Sequence, residues 1–154
     1  MNVMINNLLP LALLFAAILN LSCSRGSCDQ DTEVLLNAGF YSAESLENIS
    51  VDSLEVFGIG IPDSSLYSMV TLKNILLPLN PSTNDCSFVV INGGRADTID
   101  ITYSRNLVFL SRECGYTYHF EINEVFFTRN DISNIIITNK SVIPGDEENI
   151  QIYF

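Results

Sequence analysis

Beyond residue 31 the chain is ruled by a two-residue alternation of apolar and polar positions. Ile99, Ile101 and Tyr103 alternate with Thr98, Asp100 and Thr102, which is the period of a strand with one face buried. The same signal marks residues 32–41, 53–61, 86–92 and 97–104. It continues through 107–111, 116–127, 132–138 and 150–154, all rich in Ile, Val, Phe, Tyr and Thr. Asn92-Gly93-Gly94, Arg129-Asn130-Asp131 and Pro144-Gly145-Asp146 break these runs with turn formers. Two hairpins are expected, one around Gly93-Gly94 and one around Asn130-Asp131. Residues 66–79 are ambiguous because Pro78 and Pro81 cut them short, and 43–48 predict one short helix. About eight short strands within residues 31–154 point to a single all-β domain, an antiparallel β-sandwich or a flattened barrel.

The N-terminal residues follow another rule. Residues 8–21, LLPLALLFAAILNL, are apolar except for Pro10 and Asn20. A bilayer-spanning helix needs about 20 such residues, so this stretch reads as the apolar core of a secretory signal peptide covering residues 1–22. The preceding MNVMINN carries no Lys or Arg, which leaves the α-amino group as its positive charge. Leu19-Asn20-Leu21-Ser22-Cys23 resembles a bacterial lipobox, with a small residue before the cysteine and with Asn20 where a lipobox usually has Leu. The resemblance implies cleavage before Cys23 and attachment of a diacylglyceryl group, with fatty acyl chains such as palmitate, to its thiol. The contrasting reading is an ordinary secreted protein with Cys23 in a disulfide. Residues 23–30, small and polar, form the expected tether to the folded body.

Export places the remaining cysteines in an oxidising compartment. With Cys23 acylated, Cys28, Cys86 and Cys114 are left, and one pair plus one buried thiol is the simplest arrangement. Cys28 with Cys114 is the favoured pair. Cys114 shares parity with Tyr116, Tyr118, Phe120 and Ile122, and Cys28 with Val34, Leu36, Ala38 and Phe40, so both are expected to face the core. Closing that loop would contribute about 4 kcal/mol in the chain-entropy description. Cys86 is then a small buried hydrophobe. No C-x-x-C spacing or histidine pair supports zinc.

Charge narrows the function classes. The formal net charge is −11, and the seven Lys and Arg are scattered without forming a run. This disfavours nucleic acid, whose phosphates require a clustered basic face, and disfavours electrostatic binding to anionic lipid. Membrane attachment must therefore be covalent or apolar.

Chemistry-bearing constellations are sparse. His119 is the one histidine and falls on the outward parity between Thr117 and Glu121, where a surface histidine is expected rather than a catalytic base. Glu113, Glu121 and Glu124 read as a solvated acidic face rather than a glycosidase pair. Asp29-Gln30-Asp31 and Asp146-Glu147-Glu148-Asn149 offer oxygen ligands, but neither has the spacing of an EF-hand loop. Gly58-Ile59-Gly60-Ile61-Pro62 reads as a strand end, not a phosphate loop. Asp52-Ser53-Leu54 and Asp97-Thr98-Ile99 resemble the Asp-Ser/Thr-apolar acceptor tripeptides for O-glycans of Bacteroidetes-type secreted proteins, making Ser53 and Thr98 weak candidates. No catalytic residue, metal or cofactor is assigned.

Residues 112–120, Arg-Glu-Cys-Gly-Tyr-Thr-Tyr-His-Phe, with Cys28 upstream and Asn-Ile-Gln-Ile-Tyr-Phe at 149–154, resemble a family of small Bacteroidetes lipoproteins known as a domain of unknown function. The resemblance covers most of the mature chain. It implies a cell-envelope address, at the periplasmic or outer face of the outer membrane, and the Cys28–Cys114 bridge, and no activity. The expectation is a non-enzymatic interaction or structural module with an envelope protein as partner. The contrasting expectation is a carrier whose pocket, lined by aromatics, takes an apolar or carbohydrate ligand.

Overall fold

The computed structural model describes residues 27–60 and 65–154. The expected signal peptide and Cys23 lie outside them. Ten strands follow in order: β1 Leu35–Tyr41, β2 Val51–Gly58, β3 Ser65–Leu72, β4 Asn74–Pro78, β5 Asp85–Asn92, β6 Arg95–Ser111, β7 Gly115–Phe127, β8 Asn134–Ile137, β9 Ser141–Val142 and β10 Ile150–Tyr153. They form a four-stranded sheet, β4-β1-β10-β8, and a six-stranded sheet, β3-β2-β5-β6-β7-β9. The result is an all-β sandwich and not a closed barrel. Pairing is antiparallel except between β1 and β10, where Ala38 to Tyr41 run parallel to Ile150 to Tyr153.

The alternation explains the core. Leu54 and Val56 of β2, Phe88 and Val90 of β5, and Ile99, Ile101 and Tyr103 of β6 point inward from the six-stranded sheet. Leu36, Ala38 and Phe40 of β1, with Ile150 and Ile152 of β10, come from the other sheet. β1 is covered on both faces, so Leu36 to Phe40 are all buried. Its outer face is capped by Glu148, whose carboxylate occupies the space that a Cβ at Gly39 would take.

The expected hairpin at Gly93-Gly94 is present. Asn92 pairs with Arg95, and Gly93 and Gly94 both have positive φ, 56° and 80°, as a type I′ turn demands. Four expectations are corrected. Residues 97–104 and 107–111 are one strand, because Arg105 and Asn106 keep their pairing with Phe120 and His119 although they break the apolar pattern. Residues 66–79 resolve into β3 and β4, which leave Lys73 for different sheets. No helix forms at 43–48. The Ser42 hydroxyl accepts from the Glu44 and Ser45 amides as a helix cap would, but Leu46 turns left-handed, with φ 59°, and ends the turn at once. Finally, β7 and β8 are not a hairpin, since β8 pairs with β10 in the opposite sheet.

That last correction has an identifiable cause. Asp97 is 2% exposed, and its carboxylate organises the crossover after β7. Oδ1 accepts from the Thr128 hydroxyl at 2.6 Å and the Asn130 amide at 2.8 Å. Oδ2 accepts from the amides of Asp131 at 2.7 Å and Ile132 at 2.8 Å. The next carboxylate, Asp131, meets Arg95 at 2.8 Å and the Asn92 amide at 2.7 Å, tying the crossover to the β5–β6 turn. Burial pushes the Asp97 carboxyl upward, but the Thr128 hydroxyl and the three backbone amides outweigh it and hold the group below its ordinary value.

Because the folded state holds Asp97 ionised more firmly than the unfolded chain does, its contribution is fully present above the ordinary carboxylate pKa of about 4 and is lost as pH falls through the lower folded value. Asp97→Ala should cost about 3–5 kcal/mol by leaving buried amides without an acceptor. Urea denaturation at neutral pH and below pH 4 checks both statements: the variant should lose the acid-dependent part of the wild-type curve.

Candidate functional site

Two recesses bring chemically capable side chains together. The first is a groove of about 520 Å³ on the outer face where β6, β7 and β9 meet, bordered by Ser104, His119, Glu121, Lys140 and Ser141. Strand parity places these residues together. Ser104 lies opposite Glu121, Glu121 opposite Ser141, and His119 opposite Asn106. His119 does face outward, as expected, but it is half-buried, and its Nε2 is enclosed without a hydrogen-bond partner among the described residues. It is thus not a freely solvated surface histidine. Ser104 instead shares hydrogen bonds with the Asn123 side chain at 3.3 Å. With Ser104 bonded to Asn123 and the His119 Nε2 unpartnered, the groove does not pair this imidazole with a nucleophile as a hydrolase would.

The second recess is a cleft of about 600 Å³ at one end of the sandwich, lined by Ile59, Leu66, Leu79, Cys86 and Phe88 among others. It opens where β2 and β5 approach the β4–β5 connection. Tyr103 shapes that connection from beneath: its hydroxyl accepts from the Asn80 amide at 2.9 Å, while the Asn80 and Asp85 carbonyls lie 3.0 and 3.2 Å from it as acceptors. Cys86 is the one free cysteine among the described residues. Burial pushes its thiol up to about 12, aided by Asp85 and Asp100 and opposed by the Tyr103 hydroxyl.

Cys28 and Cys114 form a disulfide. The pairing matches the expectation, but the surroundings do not. Cys114 sits in the turn between β6 and β7 and Cys28 is exposed ahead of β1, so the bond fastens the tip of a hairpin rather than the core. The parity argument fails there because the hairpin outruns the opposite sheet; Tyr116, on the nominal core face, is 65% exposed. The N-terminal segment is also held where the Thr117 hydroxyl donates to the Thr32 carbonyl at 2.9 Å.

The remaining candidates scatter. Ser53 is exposed within β2 in a left-handed bulge, φ 53°, between residues paired with β3. Thr98 is half-buried near the start of β6, opposite Val89. Glu121 and Glu124 both face outward along one strand, opposite Ser104 and Thr102, and not across a cleft. In the acidic run, Glu147 accepts from Asn139 and Glu148 from Tyr41 and Gln151. Asp31 accepts the Glu33 amide. No group of His, Cys, Asp or Glu suited to a metal ion occurs among the described residues. Sequence reasoning missed Asp97 as an organising residue, although an acidic residue at an inward-facing strand position was the available signal.

The model of a family of unknown function, DUF6452, matches residues 53–154. The chain belongs to the DUF6452 family. The matched span begins within β2, so it contains Cys114, His119 and the Asp97 clamp, whereas β1 and Cys28 precede it. No curated protein and no solved structure matches the chain.

A thiol at about 12 leaves on the order of a thousandfold less thiolate at neutral pH than an ordinary cysteine would. Cys86 should therefore resist iodoacetamide in the folded DUF6452 protein and react promptly once guanidinium unfolds it. Time-resolved mass spectrometry of the alkylated protein reads the difference.

Proposed function

We propose that this DUF6452 protein is a lipid-anchored module of a bacterial cell envelope, held at the outer membrane by acyl chains on Cys23. Its role is one of interaction or structure rather than catalysis. The observation that carries the reading is the Cys28–Cys114 disulfide. A structural disulfide suits an exported protein. Its position five residues after Cys23 fastens the start of the folded body immediately downstream of the proposed lipid. The bond also assigns Cys28 and Cys114 to folding, which leaves Cys23 free for acylation. An envelope protein would be met at the other end of the sandwich, where Leu46 and Ile136 border a shallow recess of about 240 Å³.

A second reading, a carrier for an apolar ligand, is favoured by the end cleft and its Leu66, Leu79 and Phe88 lining. It requires saturable binding of a fluorescent fatty acid that is weakened by Leu66→Arg. Absence of binding removes it.

Mass spectrometry of the native protein should find a diacyl or triacyl adduct at residue 23, and an unmodified mature N-terminus overturns the anchor. Thiol titration after denaturation without reductant gives an independent count. The anchored protein should show one reactive thiol, Cys86, and a mature chain with a free Cys23 should show two.

A further inference from the structure

The β6–β7 hairpin projects past the four-stranded sheet, and its tip is apolar. Phe109 and Tyr116 lie directly opposite each other with ring centroids 5.1 Å apart. They are 54% and 65% exposed, and Leu107, two residues back on the same face, is 54% exposed. Single exposed apolar residues need no explanation, but here three share one face of one rigid hairpin end. That end is also where the chain leaves the folded body, because Cys28 is bonded to Cys114 in the turn itself.

We infer that this tip rests in the membrane–water interface, with Leu107, Phe109 and Tyr116 dipping among the lipid headgroups beside the anchor. The inference rests on the acylation of Cys23 proposed above. Cys28 is five positions after Cys23, and at about 3.6 Å per step the tether spans no more than about 18 Å. The hairpin tip is therefore the part of the body bound to lie nearest the bilayer. By contrast, Phe126 is ten residues along β7 from Tyr116, about 33 Å farther away at the rise of a strand. The side chains suit the location, since Tyr116 is an aromatic ring with a polar edge, of the kind that settles at the interface, and Phe109 and Leu107 supply apolar surface beside it. Arg112 and Glu113 give the turn no net charge, so the contact is apolar and calls for no anionic lipid.

The sequence contains no tryptophan, so Phe109→Trp, Tyr116→Trp and Phe126→Trp each supply a single indole reporter. All three sites are exposed, and urea midpoints matching wild type would confirm that the variants fold. The full chain, processed and acylated in a bacterial host, is reconstituted into zwitterionic phosphatidylethanolamine–phosphatidylcholine vesicles with and without lipid brominated near the headgroup. In the Phe109→Trp and Tyr116→Trp variants, indole emission should shift to shorter wavelength and be quenched by the brominated lipid. Emission from Phe126→Trp should be unchanged. If the acyl adduct is present and neither tip variant is quenched, the inference falls and the anchor stands. If no adduct is present at residue 23, both fall. A blue shift without quenching, accompanied by chemical cross-linking into a dimer, means that a second copy covers the tip and also overturns the inference.

Discussion

One buried carboxylate organises the path that the chain takes after β7. After β7 the polypeptide leaves the six-stranded sheet for β8, and the turn it uses points the backbone amides of Asn130, Asp131 and Ile132 into partly or fully buried ground. Such groups are costly unless paired. Asp97 receives all three, together with the Thr128 hydroxyl. A carboxylate satisfied in this way tolerates burial, because charge-assisted hydrogen bonds replace its hydration. The crossover then delivers Ile132 to the core and β8 to the edge of the four-stranded sheet.

A second polar lock completes what the first begins. The amide of Asn37 in β1 donates to the Asn149 side chain at 3.0 Å, and the Asn149 amide donates to the Asn37 carbonyl at 2.9 Å. The Asn149 side chain also donates to the Asn139 and Ser141 carbonyls, at 3.2 and 2.9 Å, and so holds the β8–β9 connection. Apolar burial is non-directional and would accept several registers for β10. The paired asparagines, 8% and 3% exposed, accept one. They set the parallel alignment of β1 with β10, the one parallel pairing in the sandwich, so register here is specified by polar geometry inside an apolar frame.

These features explain what could be read from the sequence. Strand positions were legible because a half-buried strand must alternate, and Ile99, Ile101 and Tyr103 do so without exception. The Gly93-Gly94 hairpin was legible because only glycine enters two successive left-handed positions cheaply. The β7–β8 crossover was not, since a turn sequence shows that the chain bends but not which sheet it bends toward. That information lay in Asp97, 31 residues from the Thr128 that it binds. The tip was misread for a related reason: parity assigns Tyr116 to the inward face correctly, but only the opposite sheet's extent decides whether that face is covered. His119 shows the converse, an outward-facing residue whose Nε2 is nevertheless enclosed. The Cys28–Cys114 pair was reached by elimination among cysteines, by parity and by resemblance, although the parity argument misjudged its surroundings.

The two ends of the hairpin therefore answer to different constraints. Near Phe127 its inner face packs against the core and the strand end is fastened through Asp97, so a substitution on that face is felt as lost stability. Near Cys114 it has no opposing sheet, and its order depends on the disulfide and on the Thr117–Thr32 contact. A protruding ribbon of two strands is marginal by itself, and closing the loop of 86 residues between the two cysteines restrains it from the unfolded side as well. Keeping a projecting ribbon rigid, and leaving its apolar residues uncovered, is economical only if the tip meets something. With Cys23 acylated as proposed, the chain reaches its anchor from that tip, which favours a bilayer over a soluble partner as the surface the tip meets.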